Sequence, residues 1–159
     1  MIRYCVEKWD ANKDNLRERI KNDDHINECT YDYLVKLVVE EIFNDGFKKG
    51  EYGEPYPRWD TERITTIDDG DYQGTLLFLI PEDTYQPSEY EYLMTYVDYG
   101  SCSGCDTLQA VQSLNFIDQH GLPSERQVKD YMDLCLGILE NTIKPYNNGW
   151  REDESFKTI

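Results

Sequence analysis

Two cysteines three residues apart, Cys102 and Cys105, stand in the segment Tyr99-Gly100-Ser101-Cys102-Ser103-Gly104-Cys105-Asp106. A pair at this spacing can cycle between dithiol and disulfide, or supply half of a four-ligand metal site. The segment follows a strand pattern and precedes a helix start, where unpaired backbone N–H groups favour a thiolate. Asp98 and Asp106 flank it, and their charges oppose one. His25 and Cys29, four residues apart on one stretch, are the candidates to complete a zinc site with Cys102 and Cys105, although no second CxxC or HxxxH accompanies them. The plainer reading is preferred: Gly100 and Gly104 shape a tight strand-to-helix connection bounded by Tyr99 and Asp106, and the two cysteines are small apolar residues tucked beneath it. On that reading no cofactor is expected, with zinc as the alternative.

Other chemistry finds little support. No Lys or Arg occurs between Arg63 and Arg126, so the glycines of the turn are not expected to cradle phosphate. Asp68, Asp69 and Asp71 surround Gly70 but lack the calcium-binding loop with its terminal Glu, and a solvated hairpin turn is expected instead. His25 and His120 have no nucleophile in a recognisable arrangement, and no G-x-S-x-G is present. An enzyme is not expected.

Charge points elsewhere. The chain has 159 residues, 16 basic and 32 acidic, a net charge of −16 that repels nucleic acid and anionic lipid. Between Glu51 and Asp98 there are twelve acids against Arg58 and Arg63 alone, and eight of the 13 tyrosines fall between Glu51 and Tyr99. Tyrosine supplies contact area at low entropic cost, and ordered carboxylates complement a basic partner. Asp68, Asp69, Asp71, Glu82, Asp83, Tyr85, Glu89, Tyr90, Glu91 and Tyr92 are the expected docking residues for a basic protein. The competing reading makes Glu89 and Glu91 the wet face of a strand and the tyrosines its packed face. Nothing in the pattern favours a membrane span or a signal peptide, and five cysteines at irregular spacing suit a reducing cytoplasm.

The elements that position these residues follow from periodicity. Cys5, Trp9, Leu16 and Ile20, with Lys13 the polar member of the series, predict a helix over Val6 to Lys21. Thr30 is the expected N-cap of a second helix whose stripe is Leu34, Leu37, Val38 and Ile42, closed at Asp45-Gly46. Phe47 to Asp60, punctuated by Gly and Pro, is expected to be a loop. Three strands follow, Arg63 to Ile67, Tyr72 to Ile80 and Tyr90 to Tyr99, the first two joined at Asp68-Asp69-Gly70-Asp71. Asp106 with Gln109, and Ser124 with Gln127, predict two more helix starts, the second helix ending at Pro145. The expected fold is α+β: a three-stranded antiparallel meander with four helices packed on it, one domain over 1–145, then a polar mobile tail over 146–159.

The stretch Tyr99 to Gln109, followed by the helix Val128 to Ile143, resembles a group of small bacteriophage and prophage proteins of uncharacterised function. Trp9 to Leu16 and Tyr33 to Val39 are similar to that group in style. The resemblance implies a viral origin and action in the host cell cytoplasm, and carries over no catalytic residue. A non-enzymatic protein that binds a basic host protein such as a nucleic-acid enzyme or defence complex, to divert or inhibit it, is the leading expectation. A CxxC metal or redox protein comes second and an oligomeric assembly protein third, with the oligomeric state left open.

Overall fold

The computed structural model describes residues 1–46, 59–114 and 121–144. The first helix, α1, runs Ile2–Lys21 and buries Tyr4, Cys5, Leu16 and Ile20. It begins a turn earlier than the pattern predicts, because Tyr4 also turns inward and stacks on Phe43 at 5.8 Å. The buried polar residue of its stripe is Asn12, not Lys13. The Asn12 amide donates to the Ile42 carbonyl (3.0 Å) and to Asp45 Oδ1 (2.8 Å), which satisfies the group inside the helix contact.

Helix α2 spans Tyr31–Val38 and widens into a π-helical turn over Val39–Phe43, closed by Asn44 N–H to the Val39 carbonyl. Thr30 holds the N-cap position but its hydroxyl caps nothing. The end at Asp45 (φ 53°) and Gly46 (φ 82°) takes two left-handed residues. Glycine carries this without strain, whereas Asp45 is held there by Lys8 and Asn12. The π turn sets Glu40 and Glu41 side by side on Arg19 of α1 (2.8 and 3.0 Å).

The sheet is an antiparallel meander of β1 (Thr65–Asp68), β2 (Gly74–Pro81) and β3 (Tyr92–Tyr99), in that spatial order. Register pairs Thr66 with Phe78 and Phe78 with Thr95, so these residues share one face; Ile67, Leu77 and Tyr96 share the other. The first face is the inner one. Phe78, Ile80 and Leu93 are fully buried there in one cluster with Leu34 and Leu37 of α2, Leu16 and Ile20 of α1, and Ile138 of the last helix. Helix α3 (Thr107–Gln112) and helix α4 (Glu125–Glu140) complete the layer. Thr95 Oγ1 donates to the Ile138 carbonyl (2.8 Å), tying the inner face of β3 to α4. The fold is therefore α+β, with the four helices and the three-stranded meander the periodicities predict.

Of the three expected caps, those at Asp106 and Ser124 form. Asp106 accepts from Gln109 N–H, and Ser124 with Gln127 makes a reciprocal capping box. The strands shift by one or two residues from their expected bounds, and Trp59 and Asp60 are not loop, since Trp59 bridges to Glu82 and Asp60 N–H donates to the Pro81 carbonyl. The remainder of the predicted loop, His120, and the predicted tail lie outside the described residues. Among the described residues no helix is long and apolar enough to cross a membrane.

Candidate functional site

The sheet places the ten expected docking residues at two opposite ends rather than on one patch. Asp68 ends β1 and Asp69 and Asp71 follow in the β1–β2 connection, beside the Gly74 and Tyr99 pair; Glu82, Asp83, Tyr85, Glu89, Tyr90 and Glu91 lie in the β2–β3 connection beyond Pro81, and Tyr92 opens β3 at that end. Eight residues of strand separate them, roughly 25 Å at the usual rise. A run of acids that is continuous in sequence is split because β2 runs the whole length of the sheet between its two halves.

At the first end the turn is longer than two residues. Asp69 Oδ1 accepts from Thr75 N–H (2.6 Å), and Asp68 Oδ1 accepts from Gly70 N–H (3.0 Å) and from the Tyr99 hydroxyl (2.6 Å). These donors, Tyr99 first, hold the Asp68 carboxyl below its ordinary value, and the same bond pushes the Tyr99 phenol up to about 12. A Cβ on Gly70 would lie 2.0 Å from the Gln73 carbonyl oxygen, so this turn requires glycine. At the second end, Tyr85 is 92 % exposed, while Glu91 turns back on its own loop at Ser88 N–H (3.3 Å). Arg63 is committed to that end as well, bonding Asp60 (2.5 Å) and the Thr84 carbonyl (2.6 Å).

Between the two ends lies the outer face of the sheet, and its composition was not anticipated. Thr65, Leu79 and Met94 form one cross-strand row and Ile67, Leu77 and Tyr96 the next, followed by Thr75 and Asp98. Ile67 and Tyr96 are 47 % and 43 % exposed, and Leu77, Leu79 and Met94 are half-buried without joining the core. Tyr92 and Tyr96 of β3 thus point outward, and Leu93, Thr95 and Val97 pack, with Tyr99 on their alternation and against the core, which reverses for Tyr92 and Tyr96 the reading that made the tyrosines the packed face. The signal was present in β2: Gly-Thr-Leu-Leu-Phe-Leu-Ile-Pro is apolar at both alternations, the pattern of a strand with two apolar faces.

The Gly/Cys turn sits at the first end. Asp106 organises it: Oδ1 accepts from the Tyr31 hydroxyl (3.0 Å) and Gln109 N–H (3.0 Å), and Oδ2 accepts from Gly100 N–H (2.9 Å). Gln109 Nε2 returns to the Gly100 carbonyl (3.1 Å), so the Gly100 peptide groups are held on both sides. A Cβ on Gly100 would lie 2.4 Å from the Cys105 carbonyl oxygen. Gly104 has no such requirement, since the nearest atom to its Cβ position is Cys102 Sγ at 3.8 Å.

Cys102 and Cys105 are exposed, not tucked beneath the turn, and their sulfurs are 2.9 Å apart. Hydrogen bonds outweigh the flanking acids at Cys105. Asp98 takes the Thr75 hydroxyl (2.7 Å) and Asp106 is occupied as described, while hydrogen bonds from the Cys102 side chain, then from the backbone of Cys102, lower the Cys105 thiol below its ordinary value. Cys29 and Cys135 go the other way, pushed up to about 12 by burial. His25 is exposed and near Asp24 (3.5 Å), and Cys29 packs near Gln112. Among the described residues no three His, Cys, Asp or Glu side chains are grouped to hold a metal, so the zinc set Cys102, Cys105, Cys29 and His25 is not assembled.

Two grooves adjoin these features. One of about 490 Å3 lies between the start of α2, β1 and α3, with Cys29, Asp68 and Gly100 in its wall. The other, about 710 Å3, runs between α3 and α4 and carries Arg126 together with Asp130 and Asp133. No protein-family model, curated protein or solved structure matches the chain.

Proposed function

We propose that this chain is a non-enzymatic binding protein that docks the outer face of its sheet on a basic partner protein, a host protein if the resemblance to phage proteins holds. The observation that carries the reading is the outer face itself: an apolar centre of Ile67, Leu77 and Tyr96 with carboxylates at both ends of the strands. Soluble proteins seldom leave such a patch without a partner, and aromatic anchors ringed by polar groups are the usual anatomy of a protein interface. The acids select the partner's charge. A net charge of −16 attracts a basic surface over long range and rejects nucleic acid and anionic lipid.

Retention of proteins from a bacterial lysate on the immobilised full chain tests this, read at about 50 mM and about 500 mM salt. A basic protein should be held at low salt and released at high salt. Ile67→Asp with Tyr96→Asp should lower that retention at least about tenfold with the fold intact by circular dichroism. Retention that ignores salt, or that survives the double substitution, overturns the reading.

A further inference from the structure

The exposed cysteine pair does something the docking face does not need. Cys105 N–H donates to the Cys102 carbonyl (3.1 Å), which closes a four-residue turn. Such a turn brings its end Cα atoms within ~7 Å, the range a disulfide requires. The two sulfurs already face each other at 2.9 Å as free thiols. The backbone of the reduced turn is therefore close to the backbone of its oxidised form, and little of the folding entropy opposes closing the ring.

We propose that Cys102 and Cys105 form a thiol–disulfide exchange site for small neutral or cationic disulfides, with Cys105 as the attacking sulfur and Cys102 as the resolving one. Cys105 Sγ accepts from Cys102 N–H at 3.2 Å, a bond that strengthens as charge develops on the sulfur. The lowered thiol of Cys105 agrees with that direction. The frame holding the pair is stiff: Asp106 and Gln109 fix Gly100 on both sides, and the space where a Gly100 side chain would stand is filled by the Cys105 carbonyl and Sγ, 2.4 and 2.7 Å away. Both Asp106 carboxylate oxygens are engaged by Tyr31, Gly100 and Gln109, which fixes the turn.

The exchange balances within the pair and its substrate. The Cys105 thiolate attacks one sulfur of R–S–S–R, forming Cys105–S–S–R and expelling R–S⁻, which takes up the proton Cys105 released. Cys102, deprotonated in turn, attacks the Cys105 sulfur and expels the second R–S⁻. Two cysteine thiols are oxidised to one disulfide, and the substrate disulfide is reduced by two electrons to two R–SH. The preference for substrate charge comes from the neighbourhood. Asp68, joined to Tyr99 beside the turn, and Asp69 and Asp71 crowd the same end of the sheet, and the whole chain carries −16. An anionic disulfide is repelled from this end and a cationic one drawn to it.

The test uses the reduced full chain at neutral pH with three probes: cystamine (cationic), 2-hydroxyethyl disulfide (neutral) and oxidised glutathione (anionic). Products are quenched in acid and read by peptide mass. Cystamine should convert the Cys102 and Cys105 peptide to its internal disulfide, at least about tenfold faster than in the same chain unfolded in urea. Cys5, Cys29 and Cys135 should stay reduced. At low ionic strength cystamine should outpace glutathione by about tenfold more than it does in the unfolded chain, and added salt should shrink the ratio. Cys102→Ser should trap the mixed disulfide on Cys105, and Cys105→Ser should react more slowly at Cys102. Mixed disulfide accumulating on the unsubstituted chain without ring closure overturns the proposal. So do equal rates in folded and unfolded chain, glutathione matching cystamine, or the two serine variants reacting alike.

Discussion

The inner and outer faces of the sheet are built from nearly the same residues and have different fates. Phe78 is fully buried among helices, whereas Leu77, one position earlier on β2, is half-buried and pairs with Ile67 and Tyr96 on the side away from the core. Leucine on the outer face is no less apolar than phenylalanine on the inner one. The difference is that the core cluster, with its helices, takes up only one face of the sheet. Apolar composition alone states that a surface is fit for burial; it does not state whether the chain or another molecule does the burying.

The largest effect that would break the comparison is on stability. Phe78→Ala should cost about 3–5 kcal/mol in urea unfolding, since the inner face cannot collapse onto the cavity, and Leu77→Ala should cost less than about 1 kcal/mol. Equal costs would mean the outer face is part of the core.

A second difference is in titration. Burial pushes the Cys135 thiol up to about 12 from an ordinary 9.0, and Tyr31 up to about 12 from 10.0. These acids stay protonated in the fold while the unfolded chain begins to release its protons. Above about pH 9 the native state therefore binds more protons than the unfolded one, and stability falls as pH rises. Their contribution is complete below their ordinary values and is lost on the way to their folded ones. By about pH 10.5 the loss from Cys135 alone should be on the order of 2 kcal/mol, seen as a lower urea midpoint than at pH 7. Cys135→Ala should flatten that slope.

The smallest expected effect belongs to the outer face. Ile67→Thr and Tyr96→Ser should each move stability by no more than about 0.5 kcal/mol, because neither side chain belongs to the core. Thermal unfolding of the two variants beside the unsubstituted chain checks this. A drop comparable to Leu77→Ala or greater would place the outer face among the stabilising elements.

Local chemistry was legible from residue types. Asp106 and Ser124 announce their caps through Gln109 and Gln127 three residues on, and the change from helical to alternating period marks the meander. The π turn was not legible, because its 3.6-residue stripe reads the same whether Asn44 bonds back four residues or five. Nor was the exposure of Cys102 and Cys105, since a cysteine beside two glycines fits a buried or an open turn equally well. The second partners of Asp106 come from Tyr31, 75 positions away, and no local pattern contains that distance.

By itself, then, the amino-acid order determined what depends on neighbours within a few residues: helix and strand periods, two caps, the tight turn at Gly100, and the −16 charge. Tertiary structure decided what depends on long-range register. It sent the acids to opposite ends of the sheet, turned Tyr96 outward and Thr95 inward, and spent Asp106 on Tyr31 and Gly100 while leaving the two thiols facing each other in the open. The physical reason is that side-chain direction alternates along a strand, so which row faces the helices is set by packing against them and not by the row's own composition.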